Sequence, residues 1–421
     1  MLDLIILSGG LGTRSADPKV PKSLQTLVDH YTVLDSIADS VARLPIARVI
    51  PVLGHQADLQ IEAFSSIKWR ADLKIVFSER NGTSHAVRMG LQEVVSDNVL
   101  IVMGDSALAI PLTVHYEEWV KLNSHAMGLC RFSDHPKDSD AVIWGGPGKI
   151  VGLSRPLEEG ETSPGSPLAS LSGLVFSKKT LLTELPPSGS FQKNLVDLAN
   201  KRTYEVNGKI IRYFSRDTGT ASRLDQARKA FASGSATRRS LLDTGAIFID
   251  RDGTMIPNSG DSRTHISSSD FPLKIRHEWK RINELGVPIF VVTNQPGVAK
   301  GRITEAQVLF TFLEIQRLLE ETGAFFDDYR YCPHHPESGW PGEIEGLKIR
   351  CVCRKPGDGM LRDLAKTHQI DLTKSYVIGD TDADLHMANS VGATFLRVEA
   401  NNPESVVEAL CSAGKRLSNA S

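Results

Sequence analysis

The run "FIDRDGT" sets Asp250 and Asp252 two residues apart at the end of an apolar stretch. Residues two apart on an extended chain share a face. One carboxylate can then attack a phosphorus atom while the other manages the proton of the leaving group. Further along, Thr293 and Asn294 in "VVTNQPGVAKG" offer a hydroxyl and an amide to phosphate oxygens. Arg354 and Lys355 in "CRKP" offer positive charge, and "VIGDTDADL" adds Asp380 and Asp384. Carboxylates, a hydroxyl and a lysine, each following a strand-like run, have the composition of a magnesium–phosphate site. Taken singly these features are ordinary. D-x-D-G also makes surface turns, and acids gather at helix N-termini because the helix dipole favours them.

Three of the five cysteines fall between Tyr331 and Pro356, in "YCPHHPESGWPGEIEGLKIRCVCRKP". Cys332, His334, Cys351 and Cys353 form a Cys₃His set of the kind that closes around structural zinc. Such an ion would pin a long loop and aim Arg354 and Lys355. His335 is an alternative ligand, and the bland reading is a cluster of buried thiols.

The first half carries a different kind of loop. "LSGGLGTRSADPKVPKSL" places Gly9, Gly10 and Gly12 after an apolar run, followed by Thr13, Arg14 and Lys22. Glycines let a backbone approach a phosphate chain and point N–H groups at it. Arginine adds a rigid cationic fork and lysine a movable charge. The pattern lacks the G-K-[ST] of a Walker loop and is not a dinucleotide fingerprint. Asp105 in "VMGDS" and Asp217 in "SRDTGT" are distant carboxylates suited to one magnesium between a nucleotide and a sugar phosphate. Glu79, Gly82 and Thr83 in "FSERNGTSHAV" suit a base or ribose. The bland readings are a tight strand–helix turn and two helix caps.

These residues need strand ends to hold them. "LDLIIL", "RVIPVL", "LKIVFS" and "NVLIVMGD" read as buried strands in the first half, with helix-like "YTVLDSIADSVARL" and "GTSHAVRMGLQEVV" between. "AIFID", "PIFVVT", "YRYC", "SYVIGD" and "ATFLRV" restart the pattern in the second. Such alternation predicts an α/β protein of two Rossmann-like domains with mainly parallel sheets. The boundaries predicted are 1–230, a linker over 231–243, and 244–421. A chain of 421 residues has room for two such cores. Its net charge of −2 argues against nucleic acid as partner. No apolar run approaches the roughly 20 residues of a membrane span. The N-terminus lacks the pattern of a secretory signal. A cytoplasmic enzyme with small phosphorylated substrates is expected, and a homo-oligomer is compatible with it.

The second half resembles the haloacid dehalogenase superfamily of phosphatases, with all four motifs in order over about residues 244–400. That resemblance implies Asp250 as nucleophile and Asp252 as acid, then base. It implies Thr293 and Lys355 as holders of the phosphoryl group, and Asn294 and Arg354 as substrate contacts. Magnesium would be bound by Asp250, Asp380 and the Asp252 carbonyl, with Asp384 supporting from behind. "DRDGT", "VVTNQPGVAKGRIT", "YCPHHPE" and "CVCRKPGDGML" are similar to the heptose 1,7-bisphosphate 7-phosphatases. Histidinol-phosphate phosphatases share the zinc scheme with a shorter loop.

Residues 1–230 resemble the sugar-1-phosphate nucleotidyltransferases through "GGLGTR", "PK", "GD" and "DTGT". By that resemblance Arg14 and Lys22 grip a triphosphate, Asp105 and Asp217 bind magnesium, and Gly9, Gly10, Gly12, Thr13, Glu79, Gly82 and Thr83 surround the nucleotide. Arg155 in "LSRP" stands where relatives have a substrate-phosphate lysine, and Gln192 in "SFQK" where they have an acid. Together the two resemblances imply a bifunctional enzyme of NDP-heptose synthesis, with GTP favoured among the NTPs. A mannose-type sugar, a histidinol-phosphate-type phosphatase or one regulatory half are the alternatives.

Overall fold

A computed structural model describes residues 1–10, 17, 19–79, 81–132, 141–144, 148–154, 169–202 and 204–419. The chain forms two compact units, one ending at Ser240 and the other built on Leu241–Ser421.

The centre of the first unit is strand Leu2–Ser8, paired in parallel with Ile46–Leu53 on one side and Asn98–Met103 on the other. All three are near-continuous apolar runs, as expected of strands buried on both faces. Leu4, Ile6, Val49, Leu53, Leu100 and Val102 meet in one core. The sheet turns antiparallel beyond this point, where Ala169–Lys178 pairs with Asn98–Met103. The expected strand "LKIVFS" is instead two short pieces, Asp72–Leu73 and Val76–Phe77, both parallel to Ile46–Leu53.

The second unit is a five-stranded parallel sheet. Its order is Asp328–Cys332, Ile289–Asn294, Ile247–Ile249, Tyr376–Gly379 and Thr394–Arg397. The middle strand has no polar residue and is flanked in register, Ile249 lying opposite Val291 on one side and Ile378 on the other. Phe248, Phe290, Val292, Leu361, Leu364, Val377 and Met387 fill one core cluster. At about 1.5–3 kcal/mol per fully buried large side chain, that packing holds the strand ends in place.

The expected linker at 231–243 is largely helical. Helix Ala221–Ala232 runs into it, and a second helix, Ser235–Ser240, follows. Arg239 donates to the Arg212 carbonyl at 2.9 Å, and Arg212 donates back to the Arg239 carbonyl at 2.9 Å. Ser235 and Ala236 are buried, and the division between the two units, after Ser240, falls within this span.

Candidate functional site

Because the strands of the second sheet are parallel, their carboxyl ends gather at one rim, where open sheets of this kind present reacting groups. Asp250 follows Ile247–Ile249, Thr293 and Asn294 end Ile289–Asn294, and Asp380 follows Tyr376–Gly379. The Asp250 amide donates to the Ile378 carbonyl at 2.9 Å, so the turn into the site is still tied to the sheet.

Lys355 is the hub of the charges. Its Nζ lies 2.5 Å from Asp250 Oδ1 and 2.7 Å from Asp384 Oδ1. All three residues are buried. Burial raises the Asp250 carboxyl, to about 7, against the pull of Lys355 and with a further push from Asp384 and Asp252. Burial by itself would lower Lys355, but the two carboxylates hold it above its ordinary value. A crowd of like charges around one ammonium is a pattern met at sites that take a cation or phosphate.

Donor atoms of Asp250, Asp380 and Asp384 lie within 4.8 Å of one another, close enough to hold a metal ion. Asp384 is already committed. Its Oδ2 accepts from the Thr381 hydroxyl at 2.5 Å in a capping box that opens helix Asp382–Ser390. Its Oδ1 faces Lys355. Asp380 is raised by burial and accepts from Thr254 Oγ1 at 3.2 Å. Gly253, at φ +88°, passes so close that a Cβ would stand 2.6 Å from Asp380 Oδ2.

Asn294, expected as a substrate contact, meets the backbone of Lys355. Its Oδ1 accepts from the Lys355 amide at 3.0 Å and its Nδ2 donates to the Lys355 carbonyl at 3.3 Å. It holds the lysine's backbone. Arg354 is half-buried and donates to the His334 carbonyl at 3.3 Å. Sequence reasoning passed over Gln295, Arg251 and Thr254, all buried and all bonded to the acidic groups. Only their positions inside the quoted motifs, Arg251 and Thr254 in "FIDRDGT" and Gln295 in "VVTNQPGVAKG", could have flagged them.

The cysteine cluster assembles as expected. Cys332 ends strand Asp328–Cys332, and its Sγ is 3.5 Å from Cys351 Sγ and 3.3 Å from Cys353 Sγ. His334 Nδ1 is 3.6 Å from Cys332 Sγ and 3.3 Å from Cys353 Sγ. A tetrahedron with metal–sulfur bonds of about 2.3 Å has edges near 3.7 Å, so the donor set fits a metal ion. None of these thiols is in a disulfide. His335 turns away: its Nδ1 accepts from the Glu337 amide and its ring meets Trp340 edge-on.

In the first unit, Gly9, Gly10, Lys22, Glu79, Gly82, Thr83 and Asp105 line one cavity of about 300 Å³. Lys22 Nζ pairs with Asp105 Oδ2 at 2.8 Å. Asp217 is not among the residues lining that cavity, but a short antiparallel pairing sets it opposite Ser106, next to Asp105. Thr218 then donates both its amide and its hydroxyl to the Asp105 carbonyl at 2.8 Å. One Asp217 oxygen is held by Arg223 at 2.7 Å. Thr83 lines the cavity, but its hydroxyl accepts from the Phe191 amide at 2.8 Å and so fixes the start of helix Phe191–Arg202. The buried Gln60 donates to the carbonyls of Ser8 and His55 at 3.0 Å each, a support for the glycine turn that the sequence did not announce. Gly12, Thr13, Arg14 and Arg155 lie outside the described residues.

Residues 352–407 match the family described as HAD-hydrolase-like. The D-glycero-β-D-manno-heptose-1,7-bisphosphate 7-phosphatase of Rhodopseudomonas palustris is 37% identical over 157 residues, 37% of this chain and 84% of that protein. A D-glycero-α-D-manno-heptose-1,7-bisphosphate 7-phosphatase of Photorhabdus laumondii is 33% identical over 146 residues, 34% of this chain and 76% of its own length. Among solved structures, HddC of Yersinia pseudotuberculosis aligns over 55% of this chain and 100% of its own, at 20% identity and a TM-score of 0.45. No helix among the described residues is long and apolar enough to cross a membrane.

Proposed function

The chain belongs to the D-glycero-D-manno-heptose-1,7-bisphosphate 7-phosphatase family, and on that premise we propose that its second unit hydrolyses the 7-phosphate of such a heptose bisphosphate. The first unit would then transfer a nucleoside monophosphate, GMP by preference, from an NTP to the heptose 1-phosphate, releasing pyrophosphate. The observation that carries the phosphatase reading is the meeting of Asp250, Lys355, Asp384, Asp380 and Thr293 at one rim of a parallel sheet. The transferase reading is supported by a single cavity that collects the glycine turn, Lys22, Glu79, Gly82 and Asp105 from four separate segments.

In the second unit Asp250 attacks the phosphorus and forms an aspartyl-phosphate. Asp252 gives a proton to the departing sugar oxygen and later takes one from water. Lys355 and Thr293 hold the phosphoryl oxygens, and Asn294 keeps Lys355 in place. Magnesium fits Asp250, Asp380 and the Asp252 carbonyl, where it would neutralise charge on Asp250 and the phosphate. In the first unit no covalent nucleophile is needed. Lys22 orients the triphosphate, the glycine turn admits it closely, and Asp105 with Asp217 would hold magnesium. Zinc fits Cys332, His334, Cys351 and Cys353 as a structural clamp.

Two assays test the reading. Phosphate release is compared on heptose 1,7-bisphosphate, histidinol phosphate and mannose phosphates, with both heptose anomers because relatives of both names match. Pyrophosphate release is followed with heptose 1-phosphate and each of GTP, ATP, CTP and UTP. Magnesium-dependent turnover of the heptose substrates, with one preferred base, is expected. If another sugar phosphate turns over with an NTP and no heptose phosphate does, the heptose assignment of the first unit is wrong.

A further inference from the structure

Asp252 has two oxygens in very different circumstances. Its Oδ2 receives Gln295 Nε2 at 2.7 Å and Arg251, with Nη2 at 2.8 Å and Nε at 3.0 Å. Thr293 Oγ1 also lies within 3.4 Å of it. Its Oδ1 is buried and has no hydrogen-bond partner. A buried carboxylate oxygen left without a donor costs free energy unless something arrives to pair with it.

The residues that hold Oδ2 are themselves fixed. Arg251 is buried, donates Nη1 to Thr311 Oγ1 at 2.9 Å, and lies over the ring of Phe312 on helix Glu305–Glu320. Gln295 is buried as well. Its amide N–H is tied to the Cys332 carbonyl at 2.7 Å, and its Nε2 also reaches Thr293 Oγ1 at 3.0 Å. Neither side chain is placed to touch a phosphoryl group without first leaving Asp252.

From this arrangement we propose that Gln295 and Arg251 are positioning residues that clamp Oδ2 of Asp252, so that Oδ1 alone carries protons in the phosphatase reaction. The inference rests on the phosphatase reading above. An Asp250 oxygen attacks phosphorus, the bond from phosphorus to the ester oxygen breaks, and that oxygen takes its bonding pair and the proton from Asp252 Oδ1. Water then attacks the aspartyl-phosphate and loses a proton to Asp252 Oδ1. The bond from phosphorus to Asp250 breaks with its pair returning to Asp250, and inorganic phosphate leaves with both groups restored. Oδ1 suits this duty because its one missing partner is supplied in turn by the sugar oxygen and by water. A carboxylate free to rotate would present either oxygen and lose the alignment that proton transfer requires.

The test separates proton delivery from phosphate holding by the leaving group. An alkyl phosphate such as the sugar ester needs the proton, whereas p-nitrophenyl phosphate expels a stable anion and does not. The readout is kcat/KM, which ends at departure of the leaving group. Gln295→Met, of similar length and without the donor, is expected to lower kcat/KM for the sugar phosphate about 30-fold or more. For p-nitrophenyl phosphate the loss should stay under about 3-fold. Thr311→Val, which removes the hydroxyl that anchors Arg251 and bonds back to the Val308 carbonyl, should shift the same ratio in the same direction by a smaller factor, and it serves if Gln295→Met fails to fold. Equal losses on both esters, or no loss on either, would overturn the clamp. If the wild-type protein hydrolyses neither ester with magnesium present, the phosphatase reading falls first and takes the clamp with it.

Discussion

Gly253 offers a sharp test of how the phosphatase rim is built. The residue sits at φ +88°, and a methyl group there would lie 2.6 Å from Asp380 Oδ2. That is about 1 Å inside the roughly 3.5 Å at which non-bonded atoms rest. Gly253→Ala therefore has two separable costs. The backbone cost of a side chain at positive φ is about 1 kcal/mol, which for a unit of this size lowers Tm by about 2–4 °C. The second cost falls on function. The Asp380 carboxylate must retreat by something near 1 Å, and misplacement of that size at a reacting centre costs about 100-fold in rate. The assay is phosphate release from the bisphosphate across a magnesium titration, beside a thermal melt. A modest fall in Tm is expected, with kcat down about 100-fold and half-saturation moved to higher magnesium. A Gly253→Ala protein with wild-type kcat and magnesium dependence would refute the claim that Asp380 works from this position. The first unit's pyrophosphate release should be unchanged throughout.

Cys353→Ser should abolish one equivalent of bound zinc per chain, measured by elemental analysis, and lower the melting temperature of the phosphatase unit by well over 5 °C, because such sites contribute folding energy directly. Asp105→Asn should reduce pyrophosphate release at least about 100-fold while leaving phosphate release within about 2-fold of wild type. Retained transferase activity would remove Asp105 from that site. Asp328 tests the acid limb of stability. Burial alone would raise its carboxyl, but Arg330 and His368 bring it down to about 2, and His368 Nε2 lies 2.8 Å away. A depressed carboxyl favours the folded state above the ordinary carboxylate range and loses that contribution as pH falls towards 2. Unfolding free energy measured by denaturant at pH 5 and pH 2.5 should therefore fall by about 2 kcal/mol more in wild type than in Asp328→Asn. Equal falls would show that the pair does not stabilise the fold.

Asp250, Thr293 and Asp380 could be read in the chain because each ends or directly follows an apolar strand, and parallel strands deliver such positions to one edge. The four zinc-type ligands were legible for a similar reason, since Cys332 and His334 flank one loop end and Cys351 and Cys353 the other. For Asn294 an amide beside a threonine reads the same in the chain whether it meets substrate or backbone, and the approach of Lys355 from 61 residues away shows the backbone contact. The linker over 231–243 holds the division between the units, but its helix Ser235–Ser240 was not legible, because small polar residues suit a connection and a packed helix equally.

What the order of residues determined by itself was the chemistry available: which carboxylates, cations, glycines and thiols exist, and which strand ends carry them. The tertiary structure alone decided which oxygen of Asp252 is held and which is left open, that Gly253 must be bare beside Asp380, and that Gln60 stiffens the glycine turn. Those facts depend on atoms that face each other across turns and between strands. Local sequence dictates the direction of each strand, but packing against distant partners dictates what stands opposite its end.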